Sequence, residues 1–352
     1  MTKESKTMVS TAVDFGKTEI YYSVDENNQA EQNLPLHVMG IQQSFAYPGV
    51  YSVRKKALQK TYEAQEALLN ISKNKLIKNV SETYYRIIYY QNKLAAYKYL
   101  DSLYTRFSDA AGKKLKAGEG TYLEKLTAQS KKQEIHTKRL QMEKELEMAY
   151  QQLWKLMGTT RAGHISATTL EPLPYKEPVL TNNPYLVKAQ KEKEASMYFH
   201  KTEKRKLVPD LKLEYFTGKT TVANAQWYSG FTVGLAFPLW FGPQKSRVKA
   251  SGLMYQAAQQ KEKYRYHELE TRKKQLNQKL EKYLQAIRYY QNQGKTLSAT
   301  LFRTADKSFM AGEINYFQFI QSMKAATDIR LNYLDNLLQY NQTVLELQYI
   351  EL

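Results

Sequence analysis

The stretch Ala117-Gly118-Glu119-Gly120-Thr121-Tyr122 returns later in the chain as Ala311-Gly312-Glu313-Ile314-Asn315-Tyr316, with each identical residue 194 positions further on. Each copy interrupts a long run without proline, residues 49–171 and 244–352. Runs rich in Lys, Glu, Gln, Leu and Ala and free of proline favour helix, and a glycine after a helix permits the chain to reverse. The two stretches therefore predict the tips of two long helical hairpins.

Apolar residues on either side of the tips recur at intervals of three, four and seven, which is the period of a helix. A helix from about residue 51 to 115 would be roughly 100 Å long at 1.5 Å per residue, far beyond an ordinary globular helix. The apolar stripes predict helix packing. They comprise Leu58, Tyr62, Leu69, Leu76, Val80, Tyr84 and Ile87 in the first run and Ile320, Met323, Ala326, Tyr333, Leu337, Val344 and Leu347 in the second.

Segments between the helical runs alternate every second residue, as strands do. The clearest is the segment 227–237, where Phe231, Val233, Leu235 and Phe237 form an apolar face and Thr232 and Gly234 belong to a small or polar one. A strand over 211–215 precedes it. A second pair, 17–23 and 36–47, flanks the polar loop 25–28. Both a membrane β-barrel and a water-soluble sandwich fit this alternation.

The strands share the spacing of the tips, because Gly40 and Gly234 are also 194 positions apart. The chain is therefore predicted to be a duplication of a strand pair followed by a helical hairpin. Asn183 as N-cap and Pro184 in the first turn begin a further helix, for which we expect no counterpart in the first repeat. The predicted segments are 1–49 (strand pair), 50–157 (hairpin), 158–182 (linker), 183–207 (helix), 208–243 (strand pair) and 244–352 (hairpin).

Composition argues against several classes of site. The chain has no cysteine and five scattered histidines, and no nucleophile and base or phosphate-binding loop is recognisable. We therefore predict no catalytic, cofactor or metal site and no enzyme. The net charge of +18 is spread among glutamates, which favours solvated helix faces over a nucleic-acid surface. The alternative function is a soluble helical scaffold that binds acidic partners or nucleic acid.

The order of these motifs resembles the TolC family of outer-membrane efflux proteins. The resemblance is carried by VPDLKLEYFTG, GFTVGLAFPLWFGPQ, GIQQSFAYPGVY, AGEGTYLEKLTAQ and AGEINYFQFIQSMKAA, and it spans nearly the whole chain. It implies a mostly α protein whose long hairpins form an α-barrel, with four strands per protomer contributing to a trimeric transmembrane β-barrel. The segment VDFGKTEIYYSVDENN is most similar to members of the branch associated with heavy-metal resistance-nodulation-division (RND) pumps.

The resemblance also implies partners and site residues. The chain would be a homotrimeric exit duct in the outer membrane and periplasm of a Gram-negative bacterium. It would contact outer-membrane lipid, a periplasmic adaptor and an inner-membrane RND transporter, but no nucleic acid, and it would carry metal ions or drugs. The implied docking residues are Gly118, Glu119, Tyr122, Gly312, Glu313 and Tyr316, and the implied lumen gate is Glu124, Gln318 and Gln321.

The N-terminus departs from that family. The sequence MTKESKTMVSTAVDF does not have the basic, apolar and small-residue order of a secretory signal. The family's helical segment before the first strand pair is also not recognisable. From these two features we expect a fragment, a split reading frame or part of a longer polypeptide such as a pump fusion.

Overall fold

A computed structural model describes residues 2–27, 34–160, 163–221 and 224–351. The chain divides into two compact units, residues 1–71 with 180–268, and residues 72–179 with 269–352. The fold is mostly helical with a small four-stranded sheet, which confirms the predicted fold class. Of the helices that the structure describes, none combines the length and the apolar composition needed to cross a bilayer.

The elements follow the duplication. In the first repeat they are α1 (Thr2–Met8), β1 (Glu19–Asp25), β2 (Leu36–Phe45), α2 (Pro48–Lys116) and α3 (Tyr122–Leu156). In the second repeat they are α4 (Pro184–Arg205), β3 (Asp210–Thr220), β4 (Tyr228–Ala236), α5 (Phe241–Tyr289), α6 (Lys295–Met310) and α7 (Tyr316–Gln348). The first long helix is uninterrupted over 69 residues, as predicted. Asn28, at the end of the predicted polar loop, lies outside the described residues.

Two features differ from the sequence predictions. The second long helix contains a π-helical segment, Tyr290–Gly294, between α5 and α6. There Tyr290 stacks on Tyr333 with ring centroids 3.8 Å apart, and a side chain at Gly294 would meet Ile329 at 3.2 Å. The π turn brings a ring and a bare backbone against α7, and such packing leaves no periodicity signal in the sequence.

The second difference concerns the start of the first repeat. The expectation that it has no counterpart to α4 is wrong at residues 2–8, which form α1. These residues lie 194 positions before 196–202, in the C-terminal part of α4. A helix of seven residues is too short to display a period, and for this reason the sequence pattern missed it.

The sheet belongs to the first unit, and its strands lie in the order β1-β2-β3-β4 with every neighbouring pair antiparallel. In this unit α4 is joined to its neighbours by ion pairs. Lys60 of α2 bonds Glu194 at 3.0 Å, Lys191 bonds Glu63 at 2.8 Å, and Lys193 bonds Glu262 of α5 at 2.8 Å. These contacts hold α4 against both long helices.

The second unit has a conventional buried core. One cluster contains Tyr104, Phe107, Phe319 and Met323 from α2 and α7, all nearly inaccessible to solvent. Another contains Ile87, Ala149, Tyr150 and Leu153 from α2 and α3. The linker is attached by Asn341, which is fully buried, accepts a hydrogen bond from the Leu173 backbone N–H and donates one to the Glu171 carbonyl, each at 2.8 Å.

Candidate functional site

One face of the sheet carries a group of large apolar side chains that are exposed. The strand register places Ile20, Ile41, Tyr215 and Phe231 in one row across all four strands. Their exposed fractions are 77%, 45%, 53% and 80%. Soluble proteins rarely expose a continuous apolar surface of this kind, so the face marks an interaction with lipid or with another apolar surface.

The predicted lipid-facing residues belong to this surface. Phe231, Val233 and Leu235 alternate along β4 and are 80%, 61% and 61% exposed. Phe237, 60% exposed, follows just after the strand. The side-chain alternation is as predicted, and contact with lipid stays a prediction.

The opposite face of the sheet combines polar side chains with aromatic rings and glycines. One row consists of Tyr21, Gly40, Phe216 and Gly230, so that each aromatic ring lies beside a glycine of the next strand. A side chain at Gly40 would collide with the Tyr21 ring, and one at Gly230 would come within 2.6 Å of the Phe216 ring. The Tyr21 hydroxyl also donates a hydrogen bond to Glu214. The glycine pattern of the strands therefore has a packing cause, since the rings need the space.

The two hairpin tips have the same backbone. Gly118 and Gly312 both have a φ of +76°, a left-handed conformation that glycine adopts at little cost. The Gly118 N–H donates to the Leu115 carbonyl, and the Glu119 N–H to that of Lys114, at 3.2 and 2.9 Å. The same two bonds recur 194 residues later, from Gly312 to Phe309 and from Glu313 to Ser308. Each tip is thus a helix stop of the Schellman type.

The helices after the tips also begin alike. Thr121 caps α3 and Asn315 caps α7, and each accepts a hydrogen bond from the backbone of the third helical residue. That third residue is Glu124 in the first tip and Gln318 in the second, and its side chain accepts a bond from the cap backbone at 2.8 and 3.0 Å. Two of the predicted gate residues therefore have a capping role in the structure. Gln321 is exposed on α7, and the gate stays a prediction.

The tips differ in their side chains. Tyr122 is 62% exposed, whereas Tyr316 is 5% exposed and packs beside Phe309 and Phe319. Burial raises the pKa of Tyr316 above its ordinary value. Among the described residues its hydroxyl has no hydrogen-bond partner. The equivalent tyrosines consequently have different roles, and Tyr316 supports the core under the second tip.

The remaining predicted tip residues are accessible. Gly118, Glu119, Gly312 and Glu313 are all exposed. The Glu313 carboxylate accepts a hydrogen bond from the Ser308 hydroxyl at 2.7 Å, which fixes it over the end of α6. The structure therefore leaves five of the six predicted docking residues at the surface of the tips.

Sequence reasoning missed the most exposed apolar residues of the tips. Leu123 is 73% exposed and Phe317, 194 positions later, is 71% exposed. Met310, the last residue of α6, is 76% exposed. The repeat spacing could have identified the first two, because an apolar residue follows each tip tyrosine. A stripe of helical period gave no reason to place these residues in solvent.

Comparison with known proteins identifies the fold. No family model matches the chain, and no curated protein matches its sequence. Among solved structures, the open state of the MtrE outer membrane channel of Neisseria gonorrhoeae aligns over 98% of this chain and 82% of its own, with a TM-score of 0.76 and 13% identity.

Two further solved structures give the same result. The CmeC outer membrane channel of Campylobacter jejuni aligns over 98% of this chain and 80% of its own, with a TM-score of 0.72 and 12% identity. CusC, described for its folding and transmembrane channel formation, aligns over 99% and 87%, with a TM-score of 0.73 and 16% identity. The chain therefore has the fold of solved outer-membrane channels.

Proposed function

We propose that this chain is one subunit of an outer-membrane efflux channel, a passive exit duct without chemistry of its own. The observation that carries the proposal is the exposed apolar face of a four-stranded sheet in a chain with the fold of outer-membrane channels. A soluble helical scaffold, the alternative function, gives that face no role.

The sheet also argues for assembly. Strands β1 and β4 form its two edges, and an open edge in lipid would leave backbone groups unpaired at several kcal/mol each. We therefore propose that copies of the chain join edge to edge and that three of them close a twelve-stranded barrel. The apolar face would meet lipid and the polar face of Tyr21 and Thr232 would line water.

The tips are the proposed docking surface for a periplasmic adaptor. Their backbone is fixed by the left-handed glycines and the caps, and Tyr122, Leu123 and Phe317 stand exposed on it. An inner-membrane RND pump would supply the energy and choose the cargo, metal ions or drugs. We also propose that the chain belongs to the branch associated with heavy-metal RND pumps, which is the most specific of these proposals.

Assembly can be tested by cross-linking, because the chain has no cysteine of its own. Cysteine pairs scanned along β1 and β4 should give disulfide-linked multimers on denaturing gels. The control is a Ser44→Cys, Lys212→Cys pair, which lies opposite within one copy and should stay monomeric. The same preparations should conduct ions across planar lipid bilayers. Monomers from every edge pair, together with no conductance, would refute the channel.

A further inference from the structure

The exposed apolar face of the sheet changes character along its strands. Near the helices its rows are apolar, as in the row of Ile41 and Phe231. The next row towards the hairpin turns carries hydroxyl groups and consists of Tyr22, Met39, Thr217 and Ser229. The last row, which we call the cationic row, consists of Val24, His37, Lys219 and Trp227. Apolar, hydroxyl and cationic groups thus follow one another in the order of a lipid's chains, linkage and anionic head group.

Lys219 supplies the positive charge of the cationic row. It is exposed, and its ammonium group lies over the Trp227 ring, 5.1 Å from the centroid. Among the described residues, no carboxylate forms an ion pair with it. Asp25, at the end of β1, alternates onto the opposite face of the sheet, and its carboxylate accepts a hydrogen bond from the Asn27 N–H at 2.9 Å. The row therefore complements a negative charge from outside the chain.

His37 provides a second polar group beside Lys219. The two residues lie directly opposite each other in the strand register, where Cβ atoms are about 5 Å apart. The Tyr22 hydroxyl is 2.5 Å from Nδ1 of His37, and the two rings stack with centroids 6.0 Å apart. When the hydroxyl donates this bond, the ring proton is on Nε2, which is then a donor. One phosphate group can therefore accept hydrogen bonds from both residues.

The position of Lys219 along β3 fits the boundary of a bilayer. It lies eight residues beyond Leu211, or about 27 Å at 3.4 Å per residue. With strands tilted by roughly 40°, the rise is about 21 Å, close to the apolar band of about 25 Å in outer-membrane barrels. A lysine on the lipid face is costly at mid-bilayer and nearly neutral near the interface. The cationic row therefore lies at the level of lipid head groups.

A groove of about 520 Å³ lies on the same face, nearer the helices. Its lining, which defines this sheet groove, includes the apolar side chains of Ile41, Leu213, Tyr215, Phe231 and Val233. Tyr215 and Leu213 are four and six residues from Lys219 on β3, or about 14 and 20 Å. One leaflet of a bilayer contains about 15 Å of hydrocarbon. An acyl chain whose head group is at Lys219 therefore reaches the groove and buries apolar surface there.

From these features we infer that the face binds one phosphorylated bilayer lipid with a net negative head group. Its phosphate contacts Lys219 and His37, and an acyl chain lies in the sheet groove. The linkage between them lies beside the hydroxyls of Thr217 and Ser229, which bond each other at 3.3 Å. A zwitterionic head group fits less well, because its ammonium group finds no carboxylate in the cationic row and Lys219 already covers Trp227.

The inference rests on the proposed function, since it requires the apolar face to meet a membrane. Assembly leaves the site open, because copies of the chain would join through the edges of β1 and β4 and not through the face. The lipid would therefore bind each subunit separately, and we expect one site per chain.

Two lipids with identical chains provide the probe. Dioleoylphosphatidylglycerol is anionic and dioleoylphosphatidylcholine is zwitterionic. Each is titrated into the full chain in detergent micelles, and native mass spectrometry counts the lipids bound per subunit. One phosphatidylglycerol should be retained per chain, at least about fivefold more tightly than phosphatidylcholine, because only its charge is left for Lys219 to neutralise.

Matched variants separate the site from the overall charge. Lys219→Gln should weaken phosphatidylglycerol about fivefold, the effect of one lysine at an anionic lipid surface, and should leave phosphatidylcholine unchanged. The control, Lys212→Gln, makes the same charge change at an exposed position on the opposite face of β3 and should bind like the parent. Ile41→Trp fills the sheet groove and should weaken both lipids. Circular dichroism should give the same spectrum for all three variants.

Free glycerol phosphate distinguishes a lipid site from a phosphate site. At millimolar concentration it should not displace phosphatidylglycerol, because it has no acyl chain for the groove. Full displacement would mean that the cationic row binds phosphate alone, and the inference would fail. Equal binding of the two lipids, or equal losses in Lys219→Gln and Lys212→Gln, would also overturn it. Retention of neither lipid would mean that another copy of the chain covers the face, with the same consequence.

Conductance across planar bilayers of the same lipids keeps the two proposals apart. A conducting channel without preference for phosphatidylglycerol loses only this inference. A preference for phosphatidylglycerol that Lys219→Gln abolishes, in a preparation that does not conduct, would support the lipid site and count against the channel.

Discussion

Large apolar side chains are exposed on the sheet of the first unit but buried in the helix cluster of the second. Phe231 on β4 is 80% exposed, whereas Phe319 on α7 is fully buried. The sequence shows a large apolar residue at a regular period in both cases. The difference teaches that the sequence period identifies the type of element. Whether the apolar face of that element is buried or exposed depends on what the fold packs against it.

The largest expected effect comes from truncating the buried ring. Phe319→Ala removes contacts with Phe107 and Phe309, whose centroids lie 4.1 and 4.7 Å away. It should lower the free energy of unfolding of the helical unit by about 3–5 kcal/mol. Denaturation in detergent, followed by helical ellipticity, measures this. Phe231→Ala should leave the same transition in place, and an equal loss for both variants would remove the contrast between the regions.

The next effect concerns the exposed face itself. Leu235→Arg should impair membrane assembly more than Thr232→Arg, because a charge on a lipid face near mid-bilayer costs about 2–4 kcal/mol. The two residues belong to opposite faces of β4. Protein recovered in the outer-membrane fraction, with equal expression, is the measurement. Equal tolerance of both substitutions would mean that the apolar face meets something other than lipid.

A third prediction concerns the tips, where the two glycines are exposed and the constraint on them is their backbone conformation. Gly118→Val with Gly312→Val puts branched side chains at a φ of +76°, which costs about 1–3 kcal/mol for each residue. No atom outside the local backbone obstructs a side chain at either position, so the cost is one of conformation.

Multimers of this double variant should still form, since the sheet edges are unaffected, while efflux with the matched pump and adaptor should fail. Cross-linking and drug or metal tolerance of cells report the two properties. Gly234→Ala, on the sheet, is the control because a Cβ there approaches only the Lys212 side chain, at 3.9 Å. Unchanged efflux at normal channel levels would leave the glycines as turn residues only.

The smallest expected effect is electrostatic and lies in the first unit. Burial opposes ionisation of Glu63, but Lys191 and Lys60 outweigh it and hold the pKa of that carboxyl below its ordinary value. Its contribution to stability is therefore present above the unfolded pKa and lost as the pH falls through the lower folded one. When the pH is lowered from neutral to acid, the melting temperature of Glu63→Gln should fall less than that of the parent. Parallel pH profiles would show that the ion pairs do not hold α4.

Much of the candidate site could be read from the sequence, and the exceptions have physical reasons. The tip glycines were predictable because turn chemistry is local, and so Gly118 and Gly312 adopt the backbone that their type suggested. The unequal exposure of Tyr122 and Tyr316 was not, because it depends on the rings of Phe309 and Phe319 reaching the second tyrosine. The pocket lined by Arg106 of α2 and Arg303 of α6 likewise joins residues 197 positions apart.

The sequence by itself determined the elements of this protein: the period-two strands, the proline-free helices, the glycine stops and their repeat at 194 residues. Each of these depends on residues within a few positions of one another, where backbone and side-chain preferences act directly. Only the tertiary structure decided which apolar residues are buried, as for Tyr316, and which are exposed, as for Phe231. It also decided where α5 ends in a π turn. Packing depends on contacts between residues that are far apart along the chain.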